Sequence, residues 1–509
     1  MHPALEIFEI QERIFRHFYR HGYATFDLVA LACTCKTFQE HALDLIWHWD
    51  CSLRRFFNLF PQDALVRGEK GTWSRVVRPL RPLVKADFER FSFYANRVRG
   101  FAFGDYPISH LDEIFEAMAP HLPEGCLFPN LRSFNSMRGD ASEIRFFVSK
   151  KLIRISMQYR KPCAGLAFIS PVAPILERFS ISSPWHRSVD EDTSVVSVLL
   201  QQMREIRHLY TRTLSWDALV HLSNVVFLRH FTVGELAFAG LPMTRLGPFI
   251  SLEHLDFQGA PTSHLFHFLR LSTHLAVKVF HIGIQDDIAA GSGRIHDMLC
   301  DHLDHTSVSD IRITIASFLP AERIQTTSSS ALLRLHVFSN LISLELHADR
   351  KIALTEEVLE TLTRAWPRLQ VLRLITQNEP DTPENQTKLP LKALQHFTKH
   401  CQHLRTLELM FDTTNPPSTP EDDAVQTTLT ELRVSFSPIM DLDKASVAGY
   451  LFHLFPNIMT MFYKLNFVVH ILADPNDGQR TRIRRHSPEE AGWNGVAGYL
   501  QDLHKVKIG

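Results

Sequence analysis

LISLEL at 341–346, LQVLRL at 369–374 and LRTLEL at 404–409 are copies of one phrase: apolar, two residues, apolar, one residue, apolar. The alternation at its end has the period of an extended strand with one covered face. A fourth clear copy is LEHLDF at 252–257, and looser ones begin at Val98, Leu131, Leu152, Leu176, Ile206, Leu228, Val277, Val308, Leu429 and Ile458. So loose a pattern arises by composition at about one position in ten, so the spacing carries the argument. Successive starts are separated by roughly 21 to 35 residues, with no long gap from Val98 to Ile458.

Several copies share a lead-in: Phe128-Pro129-Asn130, Trp366-Pro367-Arg368, Cys401-Gln402-His403 and Phe455-Pro456-Asn457. Between copies the pattern turns helical. Thr355 is placed as an N-cap before Glu356 and Glu357, with Pro367 stopping the helix after Ala365, and Leu391 to His400 reads as a second helix. Each strand-plus-helix unit is too small to bury its own apolar face, and stacking gives neighbours a shared core, as leucine-rich repeats require. The expectation is an α/β fold: an irregular, curved leucine-rich-repeat solenoid over 96–509, closed by a helix that Ser487-Pro488-Glu489-Glu490 starts and that runs toward Lys505. Gly492, Gly495 and Gly498 lower the propensity of that helix. Thr376 to Pro390, Asp412 to Gln426 and the turn near Gly291 read as exposed polar loops.

Ahead of the repeats stand two amphipathic stretches. Ile7, Ile10, Ile14, Phe15 and Phe18 share one helical stripe, and Leu28, Leu31, Cys35, Phe38, Ala42 and Leu45 share another. The sequence here resembles an F-box, through Ile7-Phe8-Glu9-Ile10-Gln11, Ile14-Phe15, Asp27-Leu28, Cys35-Lys36-Thr37-Phe38 and Ile46-Trp47. Phe8 stands where that motif usually has proline, Gln11 where it has leucine and Phe38 where tryptophan is common. The plainer alternative is a helical cap on a larger domain. An all-α F-box is thus expected over 1–50 and a helical connector over 51–95.

Composition is that of an ordinary globular chain: 509 residues, 45% hydrophobic, with 54 Lys and Arg against 55 Asp and Glu. Near-zero net charge offers no general attraction for nucleic acid or membrane. Seven scattered cysteines suit free thiols in a reducing compartment. No basic-then-apolar leader follows Met1, so cytoplasm or nucleus is expected. Tyr450 to Ala473 is unusually apolar, but Pro456, Asn457, Lys464 and Asn466 interrupt it, and buried helix and strand explain it better than a membrane span.

Catalytic signatures are missing: Gly68 to Thr72 lacks a phosphate-loop ending, and neither a serine elbow nor a zinc-protease histidine pair occurs. His296, Cys300, His302 and His305 form the densest metal-ligand cluster, but one helix cannot converge all four, and the stretch reads as a solvated helix face. Cys33 and Cys35 read as packing thiols. The basic run Arg480 to His486 reads as a solvated loop or an import patch, and the sequon at Asn385 carries no weight in a cytosolic chain. No cofactor and no metal are expected.

Strand alternation sends residues between the apolar ones outward, onto the concave face of a solenoid. That nominates His254, Asp256, Arg312, Glu345, Arg373, Glu408 and Arg433 for contact with a protein target, with Asp310, Ser343, Thr406 and Glu431 beside them; their mixed signs suit a protein surface better than a polyanion. As a whole the chain is similar to F-box/leucine-rich-repeat proteins, particularly a fungal group with tryptophan-proline lead-ins. The resemblance implies a non-catalytic substrate receptor of SCF-type ubiquitin ligases, joined to a cullin scaffold through a SKP-family adaptor. It implies adaptor contact by Ile7, Phe8, Ile10, Ile14, Phe15, Leu28, Leu31, Phe38 and Trp47. The rivals are a repeat scaffold outside any ligase and, remotely, a metal enzyme built on the His296 cluster.

Overall fold

The computed structural model describes residues 10–11, 13–15, 25–50, 52–67, 75–103, 108–109, 111–139, 143–159, 163–182, 190–236, 244–259, 261–272, 275–284, 292–315, 328–348, 352–376, 388–417, 424–440, 442–463, 467–470 and 488–508. Ile7, Phe8, the turn at Gly291, the sequon at Asn385, the basic run at Arg480, Ser487 and most of the two proline-rich loops lie outside them. The chain forms two compact units, Met1–Phe231 and Thr232–Gly509.

Each of the phrases read from the sequence heads a strand that begins two residues after its first apolar position, from Gly100–Phe103 to Thr460–Tyr463. In the first unit Gly100–Phe103, Ser133–Gly139, Arg154–Tyr159, Arg178–Ser182 and His208–Leu214 pair in parallel, each with the next. In the second, the parallel series runs from His254–Phe257 through Val279–Ile284, Asp310–Ile315, Ser343–Ala348, Val371–Thr376, Thr406–Glu408 and Glu431–Ser435 to Thr460–Tyr463. Parallel neighbours need a crossover, and most connections carry a short helix or 3-10 turn. This is a mixed α/β, open parallel array of the leucine-rich-repeat type.

The reason is burial. Inward strand positions such as Leu255, Phe280, Ile311, Leu344, Leu372, Leu407, Leu432 and Met461 form one continuous apolar column. The lead-in residues Trp366, Cys401 and Phe455 are buried with them, and Phe128 is buried within the first unit. Asparagines at these turns tie each repeat to the one before: Asn130 Nδ2 donates to Asn96 O at 2.9 Å, Asn340 to Thr306 O at 2.9 Å and Asn457 to Thr427 O at 2.8 Å. Thr355 caps the helix Glu356–Ala365 by accepting from Val358 N at 3.4 Å.

Three features depart from the expectations above. The connector is not wholly helical: Leu65–Arg67, Arg75–Pro79 and Ile108–Ser109 form a small three-stranded sheet. Arg81 locks this region by forking onto Asp87 at 2.8 and 2.9 Å while holding Asp63 at 2.9 Å. An extra strand, Trp49–Asp50, adds in parallel to Gly100–Phe101, where the Trp49 indole occupies the space any side chain at Gly100 would need. At the other end Phe467–His470 closes the array antiparallel to Thr460–Tyr463. The apolar stretch from Tyr450 is therefore helix and strands, and no helix among the described residues is long and apolar enough to cross a membrane.

The terminal helix spans Pro488–Ile508 despite its glycines. Trp493, fully buried, donates from Nε1 to Ser437 O at 2.9 Å, and Gly492 and Gly495 lie where the helix meets Ile439 and Lys444 closely. Close packing thus explains two residues that propensity alone counts as defects.

Candidate functional site: the open strand face and the N-terminal helices

Outward strand residues in the second unit fall into rows, because every repeat keeps the same register. One row runs Asp256, His281, Arg312, Glu345, Arg373, Glu408, Arg433, Phe462, each the register partner of the next. Six of the seven residues nominated for target contact lie in this row, and His254 lies in the row before it.

From Arg312 onward the signs alternate, so neighbouring strands about 4.8 Å apart bring opposite charges together. Arg312 Nη2 donates to Glu345 Oε1 at 3.0 Å, and Arg373 Nη1 lies 3.7 Å from the same oxygen. Arg433 Nε donates to Glu431 Oε1 at 2.5 Å, lies 3.8 Å from Glu408 Oε2, and its guanidinium sits 4.0 Å from the Phe462 ring centre. Glu345 and Glu408 are buried between these arginines. The nominated charges from Arg312 to Arg433 therefore engage one another, and Arg312, Arg373 and Arg433 stay half-exposed, as do His254 and Asp256.

The two buried carboxylates titrate in opposite directions. His347, donating to Glu345 Oε2 at 3.4 Å, and the Arg312 and Arg373 guanidiniums hold Glu345 down at about 2 against the opposing effect of burial. Burial outweighs Arg433 and Arg373 at Glu408, whose carboxyl is raised above its ordinary value. Ser435 Oγ donates to Glu408 Oε1 at 3.4 Å from a left-handed backbone conformation (φ 46°), at the bulge where the register shifts.

Two ligand sets deserve comparison with the expected absence of metal. His296 and Cys300 are buried, not on a solvated face: Cys300 Sγ donates to Arg334 O at 3.2 Å and His305 Nε2 bonds Cys300 O at 2.6 Å, while His302 and His305 are half-buried. The set the sequence reading missed is His254, Asp256 and His281, which place one ligand atom each within 4.8 Å of one another on adjacent strands. His281 Nε2 there bonds Asp310 Oδ1 at 3.0 Å. Among the described cysteines all thiols are free; Cys126, Cys300 and Cys401 are buried, which pushes them up to about 11, 11 and 12, while Cys33 is exposed on a turn instead of packed.

At the N-terminus, residues 10–11 and 13–15 are helical, followed by Thr25–Ala32 and Lys36–Ile46. Phe15 and Leu28 are each 2% exposed and Trp47 8%, so these three nominated residues face inward. Phe15 meets Phe38 edge-on at 5.4 Å, and Trp47 packs on Phe56 at 5.1 Å and Tyr94 at 4.5 Å. Leu31 and Phe38 are half-buried, whereas Ile10 and Ile14 are exposed. Phe26, 85% exposed, and Val29 join them on the outside, one helical turn apart, and the sequence reading had passed them over. Arg97 fixes these helices to the first repeat by bonding Glu40 Oε2 at 2.5 Å and Asp44, with its guanidinium over the Phe93 ring.

No family model matches the chain, and no curated protein matches it. Among solved structures it is similar to an internalin from Listeria monocytogenes (14% identity, 63% of this chain and 76% of that one, TM-score 0.34). It is also similar to a complex of Rad7 and Elc1 from yeast (13%, 70% and 85%, 0.31) and to the leucine-rich repeat-containing protein LegL7 from Legionella pneumophila (10%, 75% and 94%, 0.25). The repeat assignment stands on the strand register described above, not on these distant likenesses.

Proposed function

We propose that this chain is the substrate-recognition subunit of an SCF-type ubiquitin ligase, its N-terminal helices docking a SKP-family adaptor on a cullin scaffold and its open strand face holding a target protein. The supporting observation is the division of apolar residues on those helices: Phe15, Leu28 and Trp47 hold them together, while Ile10, Ile14, Phe26 and Val29 are left outside. Exposed large apolar side chains on a short helical unit suit an occupied interface. In this role the chain performs no chemistry; it raises the local concentration of target lysines near the conjugating enzyme. Its place would be the cytoplasm or nucleus.

The test is retention of a purified SKP-family adaptor by the full chain. Wild-type protein retains it, and the double variant I14D/F26D, altered at exposed positions, folds normally and loses it. Absence of retention by wild-type protein, or unchanged retention by the variant, overturns the ligase role. A second reading is a repeat scaffold outside any ligase, which the packing of Trp47 onto the connector rings Phe56 and Tyr94 favours: the helices would then be a cap.

A further inference from the structure

The strand face of the first unit is built on a different charge plan from that of the second. Its rows are Ser133, Arg154, Arg178, His208 and, beside them, Asn135, Ser156, Ser180, Tyr210. The His230 ring stacks on His208 at 4.4 Å and extends the first row. From Gly100–Phe103 to His208–Leu214 these strands contain no Asp or Glu. Arg154 and Arg178 are exposed, and among the described residues neither guanidinium has a hydrogen-bond or ion-pair partner. In the second unit Arg312, Arg373 and Arg433 each have carboxylates within 4 Å.

One neighbouring group registers this charge on top of its own burial. Burial first, then His230, Arg178 and Arg154, push the His208 imidazole down to about 4. Like charges on adjacent strands repel, which costs stability that an anionic partner would return.

We propose that this face binds an extended, Asp/Glu-rich segment of a partner protein, laid across the strands with carboxylates on Arg154 and Arg178. The proposal deepens the reading of the strand face as a target-binding surface and rests on it. Guanidiniums form paired bonds with carboxylates, and the hydroxyls of Ser156 and Ser180 and the amide of Asn135 in the next row can serve main-chain groups. The row spans roughly 14 Å at about 4.8 Å per strand, the length of four or five extended residues. One cation per strand suits single carboxylates; a phosphate group draws several guanidiniums to one point. A nucleic acid needs a broader basic field than one line in a chain of formal net charge −1.

The experiment measures binding of fluorescein-labelled peptides to the full chain by fluorescence anisotropy. The probes are a ten-residue alternating Glu-Ser peptide, its Gln-Ser counterpart, a phosphoserine peptide of equal charge and a ten-nucleotide single strand. The acidic peptide binds, the Gln-Ser peptide does not, and R154E/R178E weakens binding at least tenfold while R270E, the same reversal on an outer helix, leaves it unchanged. R154A/R178A, which introduces no new charge, weakens it in the same direction. Equal binding of the first two probes, indifference to both double variants, or preference for the phosphopeptide or the oligonucleotide overturns the proposal. Adaptor retention is measured on the wild-type chain as well: retention of the adaptor with no binding of the acidic peptide sinks this proposal alone, and peptide binding with no retention of the adaptor sinks the ligase role alone.

Discussion

Arg312 reaches across from its own strand to Glu345 on the next, 3.0 Å from guanidinium nitrogen to carboxylate oxygen, and so makes a charge of one repeat the counter-ion of another. Because His347, Arg312 and Arg373 hold the Glu345 carboxyl at about 2, its folded value lies below the ordinary one near 4.3. The contribution to stability is then complete above that ordinary value and is lost as pH falls toward 2, on the order of 3 kcal/mol at most. Urea midpoints followed from pH 7 to pH 3 will fall for the wild type, and E345Q will start lower at pH 7 and fall less steeply. Parallel curves for the two proteins would refute the ladder's role.

Glu408 occupies the same row with the opposite balance. Its burial raises the carboxyl, so the folded protein holds the proton more tightly than the unfolded chain and stability declines as pH rises through the carboxylate range. E408Q should therefore be neutral or mildly stabilising at pH 7, within about 1 kcal/mol, where E345Q is destabilising. Comparing urea midpoints of the two variants at one pH decides it; losses of equal size would mean that both carboxylates act as simple ion pairs.

Arg97 is the bond between the N-terminal helices and the repeats, with Glu40 and Asp44 on one side and the Phe93 ring on the other. R97A should release the helix Lys36–Ile46 locally, at a cost of roughly 1–2 kcal/mol, without unfolding the array. In hydrogen exchange the amides of that helix would lose about tenfold in protection while those of Val371–Thr376 keep theirs. Unchanged exchange at Lys36–Ile46 would show that the Trp47 packing alone fixes the helices.

The strands were legible because alternation is local: Leu344, Leu346 and their equivalents must face one way, whatever the rest of the chain does. Which charges would meet was legible too, but only by reading down a column. Stacking the repeats places Arg312, Glu345, Arg373, Glu408 and Arg433 at one position of the phrase, and Arg154 and Arg178 together at another. Read one phrase at a time, each looks like a solvated residue free for a partner. The sheet Leu65–Arg67, Arg75–Pro79 and Ile108–Ser109 had no such signal, since its strands are two to five residues long and the third lies beyond the first repeat strand. Nor could helical stripes say which side of Phe15 or Trp47 faced inward: their partners, Phe38 for the one and Phe56 and Tyr94 for the other, become neighbours only in three dimensions.

The terminal helix Pro488–Ile508 separates propensity from packing within one element. A methyl group at Gly498 would meet nothing within 4 Å, so G498A gains only the better helix propensity of alanine, about 1 kcal/mol. At Gly492 the same methyl group would run into Ile439 Cγ2, and at Gly495 it would come within 2.7 Å of Lys444 Cδ, a flexible side chain that can move. The order of thermal midpoints should be G498A above wild type, G495A near it and G492A below, with Trp493 fluorescence shifting to the red only in G492A as the helix lifts from Ser437. A G492A protein as stable as G498A would mean that this helix does not rest against Ile439.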